Sequence, residues 1–365
     1  MMLRMSRHLV LGASLSFALC ATVAAPAANP YPNTASFGVP FSKDEPWYRQ
    51  CMRVAQTPAP RVQPPSQSAS RLDTAPAARA GAPRCDAYDL YYTKRSQATV
   101  SQAEWNTVRQ CALDTGSDAI LMMLYANGLG VQRDTGIAIH HACRMDAAKA
   151  EMAGRVEHLA ELRAGAPFDQ CDDVTSGRMG SECAAIRETQ ALRVRQARLD
   201  RMATSLAPAG RTAFARLRTV LERYVNAGSG EVDMQGTGAA GFATAHEGRL
   251  REQFMQAALD LADGKLAPAS PADFARRDRE LNDIYRTVMA IPSKQADQPD
   301  RIGDSTVTRA DVRAAERAWL AYRDAFVAFA ATLAPRAGAE ARASALKTLL
   351  TRQRIAQLNQ LARYR

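Results

Sequence analysis

All seven cysteines of this 365-residue chain lie before residue 184, and that distribution constrains the fold more than any other feature. Cys20 falls in an N-terminal stretch that reads as a leader, so Cys51, Cys85, Cys111, Cys143, Cys171 and Cys183 remain, an even number. Zinc sites use close cysteine pairs, and the successive spacings of 34, 26, 32, 28 and 12 residues contain none. Disulfides are the better use for all six, in a connectivity that spacing alone does not fix. Cys171 with Cys183 is the local bridge to expect. The chain thus divides into a stapled half and an unstapled one.

Paired cysteines belong outside the reducing cytosol, and the first residues agree. Arg4 and Arg7 precede an apolar run from Leu9 to Val23, then Ala24, Ala25, Pro26, Ala27 and Ala28. These are the parts of a secretory signal peptide, expected over residues 1–24. The alternative, a membrane anchor, needs about 20 apolar residues, more than this run has. Leu19 before Cys20 argues against a lipoprotein. The mature chain is therefore expected to be periplasmic or secreted, with no membrane span.

Residues 25–84 are mostly rich in Pro, Ala, Ser and Gln. Such composition buries too little apolar surface to offset chain entropy, so flexible segments are expected over 26–46 and 55–84. Trp47, Tyr48 and Cys51 mark a short helix near 44–54. From Cys85 to about Arg163 the apolar periodicity is helical. Gly128 and Gly130 suit a tight inter-helix turn, and Asp134 suits the cap of the next helix. Together with Ala119, Met122, Met123, Tyr125, Ala126, Val131, Ala138 and Ala142, they resemble a single Sel-like helical repeat, a relative of the tetratricopeptide unit. One copy makes a hairpin, not a solenoid. Residues 184–203 are rich in strong helix formers and predict a connecting helix, which closes a first domain over 85–204.

The second domain is expected over 205–365. Phe214, Leu217, Val220, Leu221 and Tyr224 form a helical stripe, and Leu250, Phe254, Ala257, Ala258 and Leu261 form another. Leu281, Ile284, Tyr285 and Val288 stand at i, i+3, i+4 and i+7. Val312, Ala315, Trp319, Tyr322, Phe326 and Phe329 make a longer seam, and the polar run from Ser293 to Thr308 separates the two as a loop. The fold class is all-α. Asp278-x-x-Leu281-Asn282-x-x-Tyr285, then Glu316-Arg317-Ala318-Trp319-x-x-Tyr322-Arg323-Asp324, then Leu350-Thr351-x-x-Arg354 resemble the lysozyme inhibitor LprI-like family of bacterial envelope proteins. The resemblance covers roughly the last third of the chain. It implies a small helical bundle, a non-enzymatic binding role in the envelope, and lysozyme or another envelope macromolecule as partner.

A search for chemistry finds little. His140 and His141 are adjacent, so on a helix they point about 100° apart and cannot grip one metal from one face. The glycines from Gly228 to Gly241 are followed by no Lys-Ser or Lys-Thr, so they are no phosphate loop. Asp172 with Asp173, and Glu231 with Asp233, could be acid and base, but on solvated loops such pairs are more often caps and turns. No enzyme activity, metal, cofactor or nucleic-acid partner is expected. Asp278, Asn282, Tyr285, Trp319 and Arg323 share helix faces with apolar residues, and a buried network that fixes helix register is the reading preferred over a ligand site. The formal net charge of +10 favours anionic partners. Residues 341–365 hold six basic groups and no acid, with Thr351 read as the cap of a last helix. An alternative role follows, in which Arg352, Arg363 and Arg365 on that helix touch anionic envelope polymer or lipid.

Overall fold

The computed structural model describes residues 30–56, 85–333 and 338–364. The expected leader and nearly all of the 55–84 segment lie outside the described residues. Among those described, the chain is all-helical, with one isolated bridge pairing Arg301 with Thr308 inside a loop.

The first unit contains α1 (Pro46–Ala55), α2 (Ala87–Arg95), α3 (Gln102–Thr115), α4 (Asp118–Asn127), α5 (Thr135–Arg144) and α6 (Lys149–Ala160). Local chemistry sets their ends. Ser101 and Glu104 form a reciprocal capping box on α3. Gly116 and Gly128, both left-handed, stop α3 and α4. Asp134 accepts from the Ile137 amide at the start of α5. Gly130 is held by two demands at once, since its φ is +69° and a Cβ there would lie 2.6 Å from Trp105 Cβ. Trp47, Tyr91, Val108, Ile120, Met122, Met123 and Ile139 fill the core between these helices.

Three disulfides staple this unit: Cys51–Cys143, Cys85–Cys111 and Cys171–Cys183. The first joins α1 to α5 across 92 residues. Its surroundings correct the expectation of flexibility over residues 26–46. From residue 30 onward that stretch is packed: the Asn33 amide donates to the Cys143 carbonyl at 2.7 Å, and Tyr31 stacks on His140. Phe37 is buried edge-on against Trp47. The average composition conceals these few anchors, which is why it misleads.

The connecting helix is α7 (Gly177–Thr204), 28 residues long, which starts in the first unit and ends in the second. Its first turn is built on Glu151, a buried α6 carboxylate that accepts from the Thr175 and Ser176 amides at 3.1 and 2.6 Å. Asp172 accepts from the Asp169 amide and Asp173 pairs with His158, so the adjacent carboxylates serve the turn. Cys183 ties α7 to that turn, while Leu199 and Met202 pack in the second core.

The second unit contains α8 (Pro208–Ser229), α9 (Ala239–Ala262), α10 (Pro271–Met289), α11 (Arg309–Ala330) and α12 (Ala339–Leu361). Helix α7 packs on α9, α8 on α11, and α10 on α12. Capping boxes from Ser270 with Asp273 and from Thr308 with Asp311 start α10 and α11. The seam of α11 is buried at all six expected positions, against Phe214, Leu217, Tyr224 and Phe254. Thr351 caps nothing. It lies inside α12, fully buried, because that helix begins twelve residues earlier than the Leu350-Thr351 lettering suggests.

Candidate functional site

The family-lettered residues fall in two different environments. Leu281, Trp319 and Tyr322 are core. Arg323 lies with its guanidinium carbon 5.3 Å from the centroid of the Trp319 ring, pairs with Asp324 at 3.1 Å and reaches Asp278 at 3.9 Å. Asn282 is exposed and donates to the Asp278 carbonyl of its own helix, and Tyr285 is half-buried. No buried polar network joins these residues, which corrects the expectation that one fixes register there. Of these residues only Arg323 and Asp278 tie α10 to α11, at the surface, because only Leu281 and Val288 of α10 turn fully inward.

The buried network lies instead around Arg354 of α12, whose side chain is wholly excluded from solvent. Its Nη1 and Nη2 donate to the two Glu231 oxygens at 2.6 and 2.7 Å, and its Nε donates to Glu316 of α11 at 2.9 Å. Gln357 accepts from Arg354 at 3.2 Å and from the Tyr224 hydroxyl at 2.6 Å. Glu231 is therefore not on a solvated loop, as its polar neighbours suggested, but 6% exposed. Burial pushes its carboxyl up against the pull of Arg354. Burial also works against the Arg354 charge, but Glu231, by charge and hydrogen bonds, and then Glu316 hold it above its ordinary range. Burial likewise pushes the Tyr224 hydroxyl up to about 12.

One signal for this cluster is present in the sequence. Leu350, Arg354 and Leu358 stand four apart, so Arg354 lies on the apolar stripe of its helix and must bring buried acceptors with it. Nothing local marks Glu231, 123 residues away, as one of them.

Beside the cluster, Glu231, Val232, Phe242, His246, Arg249, Gln357, Gln360 and Tyr364 enclose a cavity of about 150 Å³. His246 is buried, and its Nδ1 lies 3.5 Å from Arg249 Nη2. Burial, then Arg249 and Arg354, lower its pKa from 6.5 to about 4. Among the described residues no group of three His, Cys, Asp or Glu side chains could hold a metal ion, and no helix is long and apolar enough to cross a membrane. Arg352 and Arg363 are exposed, with no ion-pair partner among the described residues. Arg365 lies outside the described residues.

These features define an all-α, disulfide-stapled chain whose second unit is a helical bundle built over a buried guanidinium clamp. Residues 251–358 match the family described as Lysozyme inhibitor LprI. The matched segment runs from within α9 to near the end of α12 and includes Glu316 and Arg354 but not Glu231. Comparison with curated proteins and with solved structures returns no match. The likeness of residues 119–142 to a Sel-like repeat finds no support in these comparisons.

Proposed function

We propose that this chain is a non-enzymatic binding protein of the bacterial envelope whose C-terminal bundle engages lysozyme and inhibits it. The observation that carries the reading is the match of residues 251–358 to the lysozyme inhibitor family. The three disulfides support an extracytoplasmic setting, periplasmic or secreted. Charge limits which face can meet a basic partner. Residues 205–365 hold 24 basic against 18 acidic groups, and residues 341–365 account for the whole excess. A basic lysozyme would then approach the electrically balanced α10–α11 side, where Asp278, Arg323 and Asp324 are accessible, rather than the outer face of α12. Purified oxidised chain should slow lysozyme clearing of a cell-wall suspension in a saturable manner. An unchanged clearing rate with the chain in large molar excess would refute the inhibitory reading.

A second reading is favoured by the unpaired, exposed Arg352 and Arg363: contact between the basic C-terminal helix and anionic envelope polymer or lipid. Salt separates the two readings, because contacts held by exposed charge are screened within about 10 Å at 0.1 M ionic strength.

A further inference from the structure

We propose that Glu151 and Arg155 of α6 form a redox-gated switch, in which the Cys171–Cys183 disulfide holds Glu151 on the start of α7 and reduction lets it pair with Arg155 instead. This switch is independent of the lysozyme reading. Arg155 is 1% exposed, its Nε and Nη1 are buried without an acceptor, and it has no ion-pair partner among the described residues. A buried cation in that state is costly. Its natural partner stands four residues earlier on the same helix, since a Glu followed at i+4 by a basic residue is the favourable order. Glu151 is fully buried too, and its Oε2 also lacks a partner. Burial lowers the Arg155 pKa against the pull of Glu151 and then Asp173, so both carboxylates lie near enough to act on it. Asp173 is already taken by His158 at 3.0 Å.

The start of α7 keeps Glu151 from Arg155. Its Oε1 accepts from the Thr175 and Ser176 amides at 3.1 and 2.6 Å, and the Cys171–Cys183 bridge ties the chain on either side of those two residues. Reduction removes that tie. Cys171 is half-buried, whereas Cys51 and Cys143 are both wholly buried, so a small thiol reaches this bridge more readily than the long one. Two thiols of the reductant become its disulfide, and their two electrons and two protons pass to Cys171 and Cys183. With the turn released, the Glu151 carboxylate leaves the two amides and satisfies the Arg155 guanidinium within its own helix. The second unit feels the change, because a Cβ at Gly177 would lie 2.6 Å from the Gly238 amide nitrogen and the Gly241 amide donates to Ser181 Oγ at 3.0 Å. The switch thus sits at the joint between the two units.

The test compares the oxidised full chain with Cys171→Ser/Cys183→Ser, which opens this bridge and leaves the other two, by amide exchange, by the Nε–H resonance of Arg155 and by melting. Opening the bridge should speed exchange at Thr175 and Ser176 by roughly tenfold or more and move the Arg155 resonance downfield as it gains a carboxylate. Adding Glu151→Gln to the opened chain should cancel that move. Arg155→Met should leave the melting temperature of the oxidised chain unchanged or higher, because it removes an unpaired buried charge, but should lower that of the opened chain, where the charge is paired. The proposal is overturned if Thr175 and Ser176 keep their protection once the bridge is open, or if the Arg155 resonance stays in place or moves equally after Glu151→Gln. A lowered melting temperature for Arg155→Met in the oxidised chain overturns it alone, whether or not the opened chain folds.

Discussion

Arg354 carries a full charge where no water reaches it, so its value to the fold depends on its partners. Removing one member of a buried ion pair costs about 3 to 5 kcal/mol, mostly because the other charge is stranded. Arg354→Met should cost about that much in denaturant unfolding, since it strands Glu231 and Glu316. Adding Glu231→Gln to that variant should restore part of the loss, a coupling that independent sites would not show. His246 makes a separate prediction. Its pKa is about 4 in the fold against an ordinary 6.5, so the unfolded chain binds more protons between those values. Stability should therefore rise with pH across that window, as the neutral imidazole becomes the common form in both states. The contribution is present in full above pH 6.5 and is lost as pH falls towards 4, with a ceiling of about 3 kcal/mol. Unfolding of wild type and His246→Gln at matched pH isolates it. A difference between the two that does not vary with pH would show that His246 is not held neutral by the fold.

At the scale of elements, the periods of three and four on α11 make its whole seam legible in the amino-acid sequence, and all six of those positions are buried. The reason is physical: one face of a helix must be covered, and the repeat marks which. Trp319, 1% exposed at the centre of that seam, should cost about 3 to 5 kcal/mol when replaced by Ala. A melting curve unchanged by that substitution would contradict its burial. Pairings between distant elements are not legible in the same way. Glu231 reaches Arg354 from a loop, and loop composition carries no record of a partner on another helix. The cavity at Phe242 and His246 escapes sequence reasoning for the same reason, since α9, α12 and the loop after α8 meet only in three dimensions. The start of α12 is misplaced by its lettering because Thr351 has the chemistry of a cap but not its position. At the C-terminal end, changing the exposed Arg352 and Arg363 to Gln, together with Arg365, which lies outside the described residues, should weaken binding to an anionic polymer at low salt without lowering the melting temperature. Equal binding by wild type and variant would remove the outer face of α12 as a contact surface.

Across the whole molecule, the two cores are stabilised by different means, and α7 links them. The first relies on staples: Cys51–Cys143 closes a 92-residue separation, and in the chain-entropy picture a loop of that size contributes about 4 to 5 kcal/mol. The second contains no cysteine and relies on packing around Trp319, Phe326 and Phe329 together with the Arg354 clamp. Reduction should therefore act unequally. Under a thiol reductant, amides in α1 to α6 should lose hydrogen-exchange protection first, while those in α8, α9 and α11 keep theirs. The joint is α7, where Cys183 anchors one end and Leu199 and Met202 the other. Its first two turns should follow the reduced half and its last two the intact half, so the boundary of protection should fall inside one continuous helix. Uniform loss of protection across both units would mean that α7 transmits the loss and that the two cores unfold as one.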